Sequence, residues 1–124
     1  MSITTEHHDR DLGAPARAEY ADRLPAAAAR RILQMAPAER PAALRAMPDG
    51  EGLATFLEMR PAAQASVLEH MDRGPAARLA NRLPFNTLAR VLQRMDPECR
   101  DEVVRNLRPL KRSRVETVLA GRLQ

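Results

Sequence analysis

The segment Leu83–Pro97, LPFNTLARVLQRMDP, opens with Leu-Pro, continues with an amphipathic stretch and closes with Met-Asp-Pro. Its apolar residues recur at helical spacing, which predicts a short helix with one buried face. Proline fits the first turn of a helix and interrupts a helix that is already running. The segment therefore predicts one short helix bounded by a turn on either side.

The chain repeats this pattern every twelve residues. From residue 24 onward the successive blocks end in Met or Leu: Met35, Met47, Met59, Met71, Leu83, Met95, Leu107 and Leu119. A proline follows most block ends within two residues, and an apolar residue precedes most of them by three or four. Helices of about nine residues are unstable alone in water, so the blocks must pack on one another. We predict an all-α fold, a right-handed-type α-solenoid or superhelix of about eight short helices.

Some blocks depart from the pattern. Pro41 follows Pro37 by four residues, which predicts that the second helix starts late or kinks. Gly50 and Gly52 weaken the start of the third helix. Asp72 and Asp96 are predicted N-caps. Residues 1–15 carry no pattern, so we predict a flexible N-terminal tail over 1–15 and a helical-repeat domain over 16–124.

Composition excludes several classes of protein. The chain has no Trp, one Tyr and two Phe, so the aromatic enrichment typical of strands is missing. Charged residues make up 29%, and no apolar run is long enough for a membrane span or a signal peptide. The single cysteine, Cys99, cannot form an internal disulfide, which fits a reducing compartment. We therefore predict a cytoplasmic protein without direct membrane insertion.

The net charge of +4, from 20 basic and 16 acidic residues, is unevenly distributed. Residues 1–72 carry 8 Arg and 11 acidic residues, or −3, whereas residues 73–124 carry 12 basic and 5 acidic residues, or +7. The basic half favours an acidic protein surface as partner. Nucleic acid is disfavoured because Phe85 is the only aromatic residue after residue 72 that could stack on a base.

No pattern of catalytic residues stands out. The sequence has no glycine-rich phosphate loop and no spaced cluster of His and Cys, and two of its three histidines, His7 and His8, fall in the predicted tail. We predict that the chain is not an enzyme.

The repeat resembles the cytosolic N-terminal domain of MgtE-type magnesium transporters. The resemblance covers roughly residues 24–124 and is most specific in the final segment, LRPLKRSRVETVLAGRLQ. There Arg114, Val115, Glu116, Val118 and Leu119 match the last helix of that domain. It implies a regulatory domain of a magnesium transport system that acts by domain–domain contact. The implied partners are the CBS domains and the transmembrane domain of a transporter, in the same chain or a separate one.

The resemblance also implies a mechanism in which Mg²⁺ lies between acidic residues of the N-terminal and CBS domains and holds the closed state. Where family members often carry aspartates, this chain has Asn86, Thr87 and Arg90. Asn86, Arg90 and Arg94 are spaced four apart and share one helix face, so we predict an interaction surface there, with arginines pairing with carboxylates of a partner.

Other carboxylates remain as candidates for Mg²⁺, namely Asp96, Glu98 and Glu102, and we expect them to bind it weakly, with no tightly bound cofactor. Two alternatives stay open. The arginines of the interaction surface can simply solvate the helix, or the chain can be a free-standing helical-repeat adaptor for protein–protein interaction, similar to flagellar motor switch proteins. A homodimer through an exposed Met-Leu edge is a further predicted partner arrangement.

Overall fold

The computed structural model describes residues 24–48 and 50–123, with side chains up to residue 121. The predicted tail over 1–15 lies outside the described residues. Within them the fold is all-α, as predicted, and no strand occurs. The helices, numbered here in chain order, are α1 (Pro25–Leu33), α2 (Arg40–Arg45, preceded by a 3₁₀ turn at Pro37–Glu39), α3 (Glu51–Leu57), α4 (Pro61–Glu69), α5 (Arg73–Arg82), α6 (Phe85–Arg94), α7 (Pro97–Arg105) and α8 (Pro109–Leu123).

Each block end closes its helix with the same hydrogen bond. The backbone N–H of the block-end residue donates to the carbonyl three residues earlier, as from Met59 to Phe56 and from Met95 to Leu92, at 3.0 and 3.2 Å. The same bond recurs at all seven block ends from Met35 to Leu107. The accepting residues are all buried: Ile32, Leu44, Phe56, Leu68, Ala80, Leu92 and Val104. The twelve-residue period therefore places one core residue and one tight turn in every block.

The last predicted block end is different. Leu119 lies inside α8, which continues to Leu123. No proline follows Leu119, so nothing in the sequence interrupts the helix there. The helix is 15 residues long, against nine or ten for α4 to α7.

Helix starts follow the prolines. Pro25, Pro61 and Pro97 occupy the first turn of α1, α4 and α7, where a missing N–H costs no helical hydrogen bond. Pro41 has the predicted effect, because the second block splits into the 3₁₀ turn and the six-residue α2. Gly50, with φ of 84°, supplies the left-handed turn before α3, a conformation that other residues adopt at a cost.

The two predicted aspartate caps behave differently. The Asp96 carboxylate accepts a hydrogen bond from the backbone N–H of Glu98 at 3.2 Å and caps α7. Asp72 occupies the predicted N-cap position of α5, but its side chain makes no capping hydrogen bond, so the prediction holds for the position and not for the side chain. The Asp72 side chain instead lines a cavity of about 290 Å³ together with Glu69 and Glu102.

This difference predicts unequal effects of two identical substitutions. Asp96→Ala removes an acceptor for a helix-start N–H and is expected to lower the free energy of unfolding by about 1 kcal/mol. Asp72→Ala removes no capping bond and is expected to cost less than about half of that. Urea denaturation of both variants measures the difference, and equal losses would contradict the assignment of the cap to Asp96 alone.

Helices pack mainly on the second helix along the chain. α1 packs on α3, α4 on α6, α5 on α7 and α6 on α8, while α2–α3 and α7–α8 are contacts between consecutive helices. Phe56 is the only aromatic side chain among the buried described residues, and Leu83, Leu88, Val91, Leu92 and Val115 are almost completely buried with it. This packing by alternate helices suits a helical repeat, and the right-handed superhelix stays a prediction.

Candidate interaction surface

The three residues predicted to contact a partner lie on the solvent side of α6. Asn86, Arg90 and Arg94 are all exposed, whereas Leu88, Val91 and Leu92 form the opposite, buried face of the helix. This separation follows from the sequence, because polar and apolar residues of the block fall on different faces.

The charges on this surface have no local counterpart. The Arg90 Nε donates to the backbone carbonyl of Asn86 at 3.4 Å, and no described carboxylate pairs with Arg90 or Arg94. α6 itself contains no acidic residue. The surface can therefore offer two guanidinium groups to an anionic partner, and it repels a cation.

The start of α6 is tied to α8 by an aromatic contact that the sequence did not reveal. The guanidinium carbon of Arg114 lies 4.1 Å from the centre of the Phe85 ring. Next to it, Val115 is completely buried and packs in the core. A cation over an aromatic face contributes roughly 0.5–1 kcal/mol at an exposed site. The contact helps fix the orientation of α6 and of the interaction surface that it carries.

The three carboxylates predicted for Mg²⁺ do not form a common set of ligands. Asp96 caps α7, Glu98 is exposed, and the Glu102 carboxylate pairs with Arg73 at 2.9 Å. Among the described residues, no group of three or more His, Cys, Asp and Glu side chains is arranged to hold a metal ion. Because Mg²⁺ usually keeps several waters and is held by one or two carboxylates, its weak binding at these residues stays a prediction.

Cys99 sits beside this acidic group. Burial raises the pKa of the Cys99 thiol, and the negative charges of Asp96, Glu69, Glu102 and Glu98 raise it further. A raised pKa keeps the thiol protonated at neutral pH, and a protonated thiol is a poor nucleophile and a poor metal ligand. The environment of Cys99 thus opposes nucleophilic chemistry.

Hydrogen bonds between the end of α5 and the start of α8, called here the polar joint, were also not predicted from the sequence. The Asn81 amide oxygen accepts from the backbone N–H of Arg108 at 2.9 Å, and the Lys111 Nζ donates to the carbonyls of Asn81 and Leu83, both at 2.7 Å. One block earlier, Glu69 accepts from the backbone N–H of Asp96 at 2.7 Å. Both acceptors stand two residues before a block end and bond 27 residues ahead, so these bonds link α4 to the start of α7 and α5 to the start of α8.

A comparison with models of protein families places most of the chain in one family. A family model described as the MgtE intracellular N domain matches residues 13–120. The chain belongs to the MgtE N-domain family. Neither the search of curated proteins nor the search of solved structures gave a match. The MgtE N domain is a non-catalytic domain of a family of magnesium transporters. None of the described helices is long and apolar enough to cross a membrane.

The segment that most specifically resembles MgtE N domains is structurally anchored. Val115 is fully buried, Val118 and Leu119 are half-buried, and Glu116 lies 3.4 Å from Arg112 one turn earlier on the exposed side. Val115 in the core and Leu119 packed against it thus hold α8 on α6 and α7. Their role in this chain is to dock the last helix.

The joint at Lys111 gives a test of how this member of the MgtE N-domain family holds α8. Burial and the nearby Arg108 charge lower the pKa of Lys111, yet its ammonium group satisfies two carbonyls at the end of α5. Lys111→Met is expected to lower the free energy of unfolding by about 1–3 kcal/mol, because those carbonyls lose their donor. Arg112→Met, which removes only a surface pair, should cost less than about 0.5 kcal/mol in the same urea titration. Similar losses in the two variants would contradict the role assigned to Lys111.

Proposed function

We infer that this chain is a cytoplasmic regulatory domain of an MgtE-type magnesium transport system that acts by domain–domain contact and without catalysis. Membership of the MgtE N-domain family supports the transport context. The observation that carries the mechanism is the exposed surface of Asn86, Arg90 and Arg94, where no described carboxylate pairs with either arginine.

The partner proposed for this surface is acidic, and the CBS domains of a transporter are the first candidate. Two guanidinium groups one turn apart can each make paired hydrogen bonds to a carboxylate, so they can take the place that a bridging cation would otherwise hold. Closure through such contacts would depend on salt and much less on Mg²⁺.

A magnesium titration tests whether the domain senses the ion with its own carboxylates. The ¹⁵N-labelled chain is titrated to millimolar Mg²⁺ while the amide shifts are followed by NMR. We expect no saturable shift at Asp96, Glu98 or Glu102, because these residues do not converge on one point. Saturable shifts that disappear in an Asp96→Asn, Glu102→Gln double variant would show direct sensing and remove the proposed mechanism.

A charge reversal tests the contact itself. Arg90→Glu combined with Arg94→Glu is expected to weaken binding to the purified CBS domains of the transport system by about tenfold or more, since attraction becomes repulsion. Arg105→Glu, an exposed reversal on α7, is the matched control and should leave binding within about twofold. Undiminished binding by the α6 double variant would rule out this surface as the contact.

A further inference from the structure

A groove opens on another part of the molecule, where α2, α3 and α5 meet. It has a volume of about 470 Å³. Its floor is apolar and is formed by the half-buried Met47, Leu53, Met71 and Leu79 above the buried Phe56. A cavity of this size accepts several side chains of a partner.

The groove exists because the alternate-helix packing is interrupted there. α1–α3, α4–α6, α5–α7 and α6–α8 pack closely, whereas α3 and α5 make only sparse contact. α2 and α3 have six and seven residues, so they are too short to fill the layer beside α5. Their short length follows from Pro41, Pro48 and the left-handed turn at Gly50, all of which line the groove.

Three arginines surround the apolar floor. Arg45 comes from the end of α2, and Arg78 and Arg82 come from successive turns of α5. All three are exposed, and none pairs with a described carboxylate. None of the described residues that line the groove is acidic. Like charges one helical turn apart repel each other, so an anionic group between them is favoured.

We propose that this groove docks an acidic amphipathic helix of a partner protein. The apolar floor takes the hydrophobic face of the helix, as in helix-in-groove recognition, and the two methionines adapt to its side chains. Arg45, Arg78 and Arg82 pair with carboxylates along the polar edges of the helix. A nucleic acid would leave the floor uncovered, and a flat membrane surface does not enter a concave groove.

This docking surface is separate from the interaction surface on α6, since no residue of α6 lines the groove. The proposal therefore does not rest on the proposed contact of Arg90 and Arg94. It adds a second, mixed apolar and basic surface whose partner is recognised by an amphipathic pattern, whereas the α6 surface recognises charge alone.

The test uses a fluorescein-labelled synthetic peptide of about 18 residues, which as a helix is long enough to span the groove. The peptide carries leucine on one helical face and glutamate on the other. Fluorescence anisotropy with the full chain is expected to show saturable binding. The double variant Arg78→Gln, Arg82→Gln should raise Kd about tenfold through the loss of two rim pairs. The matched double variant Arg105→Gln, Arg108→Gln removes two exposed arginines that lie outside both surfaces and should change Kd less than about twofold.

Two more measurements separate the occupants. A peptide with lysine in place of glutamate should not bind. Leu79→Gln should weaken binding of the glutamate peptide, while the circular dichroism spectrum of the variant remains that of a helical protein. If Leu79→Gln does not fold, Met71→Ala serves as the apolar variant. The proposal is overturned if the peptide fails to bind or if both arginine pairs matter equally. It is also overturned if the groove variants instead abolish self-association in sedimentation or binding to anionic phosphatidylglycerol vesicles.

Discussion

Leu88→Ala is expected to lower the free energy of unfolding by about 2–5 kcal/mol. Leu88 is completely buried on α6, the helix that packs against both α4 and α8. Truncation removes apolar contacts and leaves a cavity that three helices cannot close without moving. Since a small domain is stable by only about 5–15 kcal/mol, the variant is expected to lose a large fraction of its total stability.

Leu110→Ala is the matched control for this substitution. Leu110 is 83% exposed in the first turn of α8, so the same change of side chain removes almost no buried area. Its effect on the urea midpoint should stay within about 0.5 kcal/mol. A Leu88→Ala loss no greater than that of Leu110→Ala would mean that α6 does not lie between α4 and α8 in solution.

The existence and the ends of the helices were predictable from sequence because the signals behind them are local. A block-end residue such as Met95 follows its core residue, Leu92, by three positions, and proline soon after it starts the next helix. These are properties of one turn of chain, which a twelve-residue repeat displays without knowledge of the fold. The all-α class and the exposed face of Asn86, Arg90 and Arg94 follow from the same reasoning.

Details that depend on the register between helices could not be predicted. Asp72 and Asp96 occupy equivalent places in their blocks, yet only Asp96 caps its helix, because each carboxylate responds to its own tertiary surroundings. The bonds from Glu69 and Asn81 reach 27 residues ahead, and their partners become apparent only when helices three apart in the chain are seen side by side.

The interaction surface on α6 and the groove also differ in how far each could be predicted from the sequence. The surface on α6 lies on one helix, so its spacing can be counted in the sequence. The groove depends on the sparse contact between α3 and α5. Its arginines come from two helices, Arg45 from α2 and Arg78 and Arg82 from α5, and these helices lie more than thirty residues apart in the sequence. Irregular residues at Pro41, Gly50 and Gly52 indicated a weak place in the repeat, but they did not indicate that the weak place forms a cavity.

Gly52→Ala is the second substitution for which we expect a large effect. A Cβ at Gly52 would lie 2.5 Å from the carbonyl oxygen of Leu44, which belongs to the backbone of α2. Backbone cannot rotate away as a flexible side chain can, so α2 and α3 must separate to make room. We expect a loss of about 1–3 kcal/mol in the free energy of unfolding, as for other overpacked sites.

Intrinsic helix propensity predicts the opposite sign, which makes the experiment decisive. Alanine is favoured over glycine by about 1 kcal/mol inside a helix. Gly121 in α8 is the matched control, because a Cβ there meets no atom within 4 Å. Gly121→Ala should therefore raise stability by a few tenths of a kcal/mol or more while Gly52→Ala lowers it. If both substitutions stabilise the protein to urea, α2 and α3 are not in the close contact that shapes one wall of the groove.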